Sequence, residues 1–377
     1  MHWALDSHLP SSGIREILDL ALKRPNTIRL ETGEPDFSPP GFVVQAYRQA
    51  ALEGHNHYTQ TSGIPALRTA LQMKLERING VHRSREEILV TPGGIPGLFL
   101  AFMGTAGAGD EILVPDPGWP DYLGGMASLG IQAVRYPLIF PEFVPSLDDL
   151  EKRITARTRA LVLNFPGNPT GRIPTDSLIR ELCLWAERHD LWIISDEVYD
   201  QIVFDGEVLS PARWIPERTL AVYSFSKTYA MTGWRLGYLT GPEQAITSLT
   251  QVAMGIWSSV SEPLQYAGLR ALNGPQEVVA QMRQHYRRRR DLAEQFLDQA
   301  GIPHSHPDGA FYLLVRMDTS DLSSRAFALR FLNECGVAVA PGSAFGAMSE
   351  GWVRISLAAP ESDLMDGLRR LKDFLRR

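Results

Sequence analysis

Four clusters of polar or reactive residues stand at the ends of short apolar runs. Asn168, Pro169, Thr170 and Gly171 follow Ala160–Asn164, and Asp196, Glu197 and Tyr199 follow Trp192–Ser195. Ser224, Ser226 and Lys227 close the run Leu220–Ser224, and Gly93 and Gly94 follow Ile88–Thr91 where a helical stretch opens. A lysine amine condenses with an aldehyde to give an imine that an amino acid can displace, so Lys227 is a candidate nucleophile. A buried carboxylate such as Asp196 keeps a ring nitrogen protonated. A helix N-terminus at Gly94 and Ile95, the Ser224 hydroxyl and the Arg235 guanidinium suit a phosphate group. Asn168 and Tyr199 offer donors to a ring oxygen, and Trp119, within Pro117, Gly118, Trp119, Pro120, offers a flat face for a ring to pack on.

Each piece has a plainer reading by itself. Asn168 to Gly171 is a turn signature, Asp196 suits a helix cap, Gly93 and Gly94 suit a tight turn, and Lys227 suits the surface. Their convergence carries the argument. Together they are the contacts that pyridoxal phosphate needs, a cofactor that serves as an electron sink for a substrate carbanion. No His/Cys spacing suits a metal, and the glycines from Gly104 to Gly109 do not form a dinucleotide fingerprint.

The elements must bring those clusters together. Strands are predicted at Ile88–Thr91, Glu111–Pro115, Gln132–Tyr136, Ala160–Asn164, Trp192–Ser195, Leu220–Ser224 and Arg235–Thr240. They are apolar along most of their length, as strands buried on both faces of a mostly parallel sheet are. Helical patterns lie between them, such as Pro174–Arg188 with Leu178, Ile179, Leu182 and Trp185 at helical spacing. Only Phe225 to Trp234 separate the last two strands, too short for a parallel crossover, so that pair is expected to be antiparallel. The expectation is an α/β fold whose ligands sit at the carboxyl ends of the strands. Its large cofactor-binding domain spans 41–275, and a smaller α+β domain combines 1–40 with 276–377. That smaller unit carries a strand at Thr27–Leu30, a long helix Gln276–Ala300, and strands at Phe311–Arg316, Val337–Ala340 and Val353–Ser356. The run Arg287 to Arg290 reads as the solvated face of the long helix.

With 37 basic against 43 acidic residues and a net charge of -6, the chain lacks the basic balance of nucleic-acid or anionic-membrane binders. Cys183 and Cys335 are far apart, and Cys183 sits in an apolar run as a small buried hydrophobe would. The start at Met1, His2, Trp3 does not read as a signal peptide, and no apolar run is long enough for a membrane helix. A cytoplasmic protein is expected.

The stretch from Ser224 through Ser226, Lys227 and Arg235 to Gly237 resembles the lysine motif of the class I/II, fold type I aminotransferases. The resemblance extends over nearly the whole chain. Gly33, Glu34, Pro35, Asp36, Phe37 resembles the family's early glycine motif, and Tyr58 its tyrosine that reaches the phosphate in the neighbouring subunit. Arg354 resembles the arginine that pairs with the substrate α-carboxylate, a role suited to a planar guanidinium. The resemblance implies a mostly parallel seven-stranded sheet sandwiched by helices, pyridoxal 5'-phosphate held as a Schiff base on Lys227, and Lys227 as general base. Gly33, Asn168 and Arg354 would then bind substrate. It also implies a homodimer with shared sites, and ping-pong transfer of an amino group from an L-amino acid to a 2-oxo acid. Relatives with the same contacts include carbon–sulfur lyases, synthases acting on sulfonium amino acids, and the ligand-sensing half of certain transcription regulators. Residues 1–40 carry the glycine motif and no helix-turn-helix, which argues against a regulator; a lyase stays the alternative. The donor is open, with a lean to neutral or aromatic amino acids. Arg172 and Arg270 are unplaced candidates for a second carboxylate.

Overall fold

The computed structural model describes residues 13–317 and 322–376. The stretch beginning Met1, His2, Trp3 lies outside them. In chain order the strands are β1 Ile28–Arg29, β2 Ile88–Thr91, β3 Glu111–Asp116, β4 Gln132–Pro137, β5 Thr158–Asn164 and β6 Trp192–Asp196. They continue with β7 Thr219–Ser224, β8 Gly237–Thr240, β9 Tyr312–Arg316, β10 Val337–Ala338, β11 Ala340–Pro341 and β12 Trp352–Ser356.

Seven strands form the central sheet in the order β2-β8-β7-β6-β5-β3-β4. The ladders joining β4, β3, β5, β6 and β7 are parallel, and β8 runs antiparallel to both β7 and β2. The short β7–β8 connection thus makes the antiparallel pair its length requires. Every residue of β2, β3, β7 and β8 is buried, so these strands are apolar on both faces because helices cover both. Helix Asp176–Arg188 is one such cover. Its N-cap Thr175 accepts a hydrogen bond from Leu178 N, and Ile179, Leu182, Cys183, Trp185 and Ala186 form its buried face. Burial pushes the Cys183 thiol up to about 12, which suits a packing residue better than a reactive one.

The remaining strands form two small sheets. β11, β12 and β9 are antiparallel, and β1 pairs with β10 in parallel. The expected strand Val337–Ala340 is therefore two short strands serving different sheets. Val339 separates them, so one half pairs with the N-terminal segment and the other with β12. Ser356 N donates to Leu30 O at 2.8 Å, fastening the N-terminal segment to the end of β12.

Two further expectations are corrected. Arg235 is not part of β8. It takes a left-handed φ of 59° between the 3-10 turn Thr232–Trp234 and the strand. The four-arginine run is not a uniformly solvated face either. In the helix Glu277–Ala300, Arg289 and Arg290 are buried. Arg290 and Arg287 pair with Asp205, Arg288 with Glu361, and Arg289 with Asp36. A local charge pattern does not reveal partners that arrive from distant segments.

Candidate active site

The carboxyl ends of β2, β5, β6 and β7 open on one cavity of about 410 Å³. Gly33, Gly94, Ile95, Trp119, Asn168, Asp196, Tyr199, Ser224, Ser226, Lys227, Arg235 and Arg354 all line it. Tyr58 does not, being 90% exposed on the outside of the chain. Arg172 bonds to Asp308 and the His306 carbonyl, and Arg270 lies over Phe42; neither lines the cavity.

One pole is rich in hydrogen-bond donors. Gly93 adopts φ 99° at the N-cap of helix Gly94–Thr105, and no side chain caps that end. The first-turn N–H groups are thus left for an incoming anion. A Cβ on Gly93 would collide with the Arg235 guanidinium, so the glycine allows that close approach. Arg235 Nη1 donates to Thr232 O at 2.8 Å, and Ser224 Oγ accepts from Ser226 N at 3.1 Å.

The other pole is Asp196, the last residue of β6. Its Oδ2 accepts from Tyr122 OH at 2.5 Å, whereas Oδ1 is buried with no hydrogen-bond partner. Burial pushes this carboxyl up to about 6, opposed by the Tyr122 hydroxyl, the Val198 amide and the charge of Lys227. A buried carboxylate oxygen without a partner is costly unless a ligand supplies its donor. Asn164 steadies this corner, since its Nδ2 donates to Asp196 O and its Oδ1 accepts from Asn168 N, both at 2.9 Å.

Between the poles, Lys227 Nζ donates to Gly33 O at 2.6 Å. Burial brings its amine down to about 8, with Glu34 and Asp196 acting against that and Arg354 and Arg235 acting with it. An amine in that range carries a useful unprotonated fraction near neutrality. Arg354, 2% exposed, donates from Nη1 to Asn168 Oδ1 at 3.0 Å and from Nη2 to Glu31 O. Its Nε is buried without a partner. The guanidinium lies 4.3 Å from the Tyr312 ring centroid and 4.9 Å from that of Phe345, and Tyr312 OH shares a 2.8 Å hydrogen bond with Tyr199 OH. Among the described residues Arg354 has no ion-pair partner. That is the state of a guanidinium set to take a carboxylate from solution.

The orphan Asp196 Oδ1, the uncapped helix start beside Arg235, and an amine between them fit the ring nitrogen, phosphate and aldehyde of pyridoxal phosphate. Sequence reasoning missed several contributors. Tyr122 stands three residues after Trp119, Val198 lies inside the Asp196 cluster and Asn164 ends β5, so each was within reach of local inspection. Ile14, Arg15 and Leu18 of helix Gly13–Ala21, and Tyr312 of β9, come from far along the chain and carry no local signal.

Fold and cavity define a fold type I transferase. Residues 25–371 match the family model "Aminotransferase class I and II". The chain belongs to that family, whose members depend on pyridoxal phosphate, and it is an aminotransferase. It is similar to the aspartate/prephenate aminotransferase of Thermus thermophilus, with 39% identity over 96% of this chain and 94% of that one. It is also similar to aromatic-amino-acid aminotransferase 2 of Thermococcus litoralis, with 36% identity over 97% and 96%. Among solved structures, the Thermus thermophilus aspartate aminotransferase with maleate superposes with a TM-score of 0.94 at 36% identity, covering 99% of this chain and all of that one.

Proposed function

We propose that Lys227 carries pyridoxal 5'-phosphate covalently and that the enzyme moves an amino group from an L-amino acid to a 2-oxo acid in ping-pong order. The observation that carries this is the half-buried Lys227 amine in one cavity with Asp196, whose Oδ1 is buried without a partner. Bound there, the cofactor supplies an electron sink for the charge that develops at the donor's Cα. Asp196, held by Tyr122, would accept a hydrogen bond from the protonated ring nitrogen. The amides of Gly94 and Ile95, the hydroxyls of Ser224 and Ser226, and Arg235 would hold the phosphate. Trp119 would pack on the ring, and Asn168 and Tyr199 would offer donors to its oxygen. Arg354 grips the donor's α-carboxylate from the side of Asn168 and Gly33, orienting the Cα–H bond, and Lys227 Nζ takes that proton.

Tyr58 completes the phosphate site of a second copy in a cytoplasmic homodimer. Support comes from its 90% exposure and from Val44, Tyr47, Leu52, Met254 and Ile256, which are also exposed. The two units flanking the cavity are taken as 41–275 and 1–40 with 276–377. Ile14, Leu18, Ile95, Leu98 and Trp119 give the cavity an apolar wall, which supports a neutral or aromatic donor. Arg15 and Asp121 also line the cavity, and an acidic donor would have to use Arg15.

The test follows the visible absorption of the cofactor-loaded enzyme as single amino acids are added without a 2-oxo acid. Loss of the resting band with stoichiometric release of the matching 2-oxo acid, and no ammonia, is expected. Steady release of ammonia and pyruvate would make the enzyme a lyase. Normal turnover by Lys227→Ala would refute the assignment of the lysine.

A further inference from the structure

Residues 30–37 form a strap that reaches the cavity at Gly33. Leu30 O accepts from Ser356 N at 2.8 Å, Glu31 O accepts from Arg354, Gly33 O accepts from Lys227 Nζ at 2.6 Å, and Glu34 Oε1 accepts from Thr232 Oγ1 at 2.6 Å. The two side chains with the most exacting tasks therefore both donate to backbone carbonyls of one short segment, and its placement decides theirs.

The far end of the strap is held by a single fork. Arg289 donates from Nη1 to Asp36 Oδ1 at 2.9 Å and from Nη2 to Asp36 Oδ2 at 2.7 Å. Nη1 also reaches Leu357 O at 3.1 Å, one residue beyond β12, the strand that carries Arg354. The guanidinium also packs beside two rings in mutual contact, 5.5 Å from the Phe37 centroid and 5.7 Å from that of Tyr286. Only 8% of the Arg289 side chain and 21% of Asp36 are exposed, so water competes weakly for this pair. Arg289 does not line the cavity.

We propose that the Arg289–Asp36 fork is a positioning device that sets the Gly33 carbonyl against Lys227 and the Glu31 carbonyl against Arg354. It ties the strap and the end of β12 to one helix. The inference rests on the proposed roles of Lys227 and Arg354. A planar bidentate fork fixes direction as well as distance, and lysine supplies a point charge without that geometry. A displacement of about 1 Å at a reacting group costs on the order of a hundredfold in rate.

The experiment compares Arg289→Lys, Asp36→Asn and the double variant in the full-length, cofactor-loaded enzyme, with turnover expressed per bound cofactor. Each single variant is expected to lose about tenfold to a hundredfold in kcat/KM for the amino donor. The loss should be shared between kcat, through Lys227, and KM, through Arg354. Cofactor affinity should stay within about threefold of wild type, and the double variant should be no worse than the poorer single one. Unchanged kcat/KM per loaded site, even with a lower urea midpoint, would reduce the fork to a structural tie and overturn the proposal. Additive losses in the double variant, or losses that track cofactor affinity, would overturn it as well. Lys227→Ala separates the two levels. If it is inactive while the fork variants are normal, only the positioning role fails; if it turns over normally, the underlying assignment fails.

Discussion

Replacing Asp196 by asparagine is expected to stabilise the cofactor-free protein while crippling the loaded enzyme. The carboxyl is 4% exposed, with one oxygen bonded to Tyr122 and the other unpaired. Burial moves it from an ordinary 3.8 to about 6, equivalent to about 3 kcal/mol at full ionisation. A carboxyl raised in the folded state leaves stability intact at low pH, where it is protonated folded and unfolded alike. Stability is then lost as pH rises from about 3.8 to about 6 and levels off above that, because over this range only the unfolded chain gives up the proton freely. Asparagine keeps an acceptor for Tyr122 and carries no charge, but it buries an amide donor in place of the orphan oxygen. The net gain at pH 8 should therefore be about 1–3 kcal/mol, shrinking towards zero at pH 4. The assay is urea unfolding of the cofactor-stripped wild type and Asp196→Asn at pH 4, 6 and 8, at one fixed protein concentration. Cofactor affinity and turnover are measured in parallel, and both should fall, since asparagine cannot hold a ring nitrogen protonated. The reasoning is refuted if Asp196→Asn is less stable than wild type at pH 8, if the difference is independent of pH, or if turnover is retained.

Other consequences are open to equally direct measurement. Because burial brings Lys227 down to about 8, the rate at which cofactor-free enzyme captures pyridoxal phosphate should rise with pH and level off above about 8; stopped-flow absorbance follows it, and a rise continuing to pH 10 would contradict the burial argument. Arg354→Lys keeps the charge but loses the fork and its stacking on Tyr312 and Phe345; kcat/KM for the donor should fall about tenfold to a hundredfold, mostly through KM, in steady-state kinetics. Tyr58→Ala and Lys227→Ala subunits, each inactive alone, should regain up to about a quarter of wild-type activity when mixed and re-equilibrated, because one site in each hybrid dimer is intact. No recovery would remove Tyr58 from the partner's site.

The candidate residues that share the cavity were legible in the sequence because chemistry restricts residue type. An amine, a carboxylate and a glycine-opened helix each have a plainer reading alone, but apolar runs before them place them together at strand ends, and the role of Arg354 came from the family resemblance. Strand positions and the antiparallel β7–β8 pair followed from patterning and connection length, which are local properties. Tertiary structure alone decided what depends on partners brought from afar. It split Val337–Ala340 between two sheets, turned Arg235 out of its strand, and buried Arg289 and Arg290 against Asp36 and Asp205. It also set the ionisation of Asp196 and Lys227, because desolvation, the first cause of both shifts, exists only once the chain has closed around them.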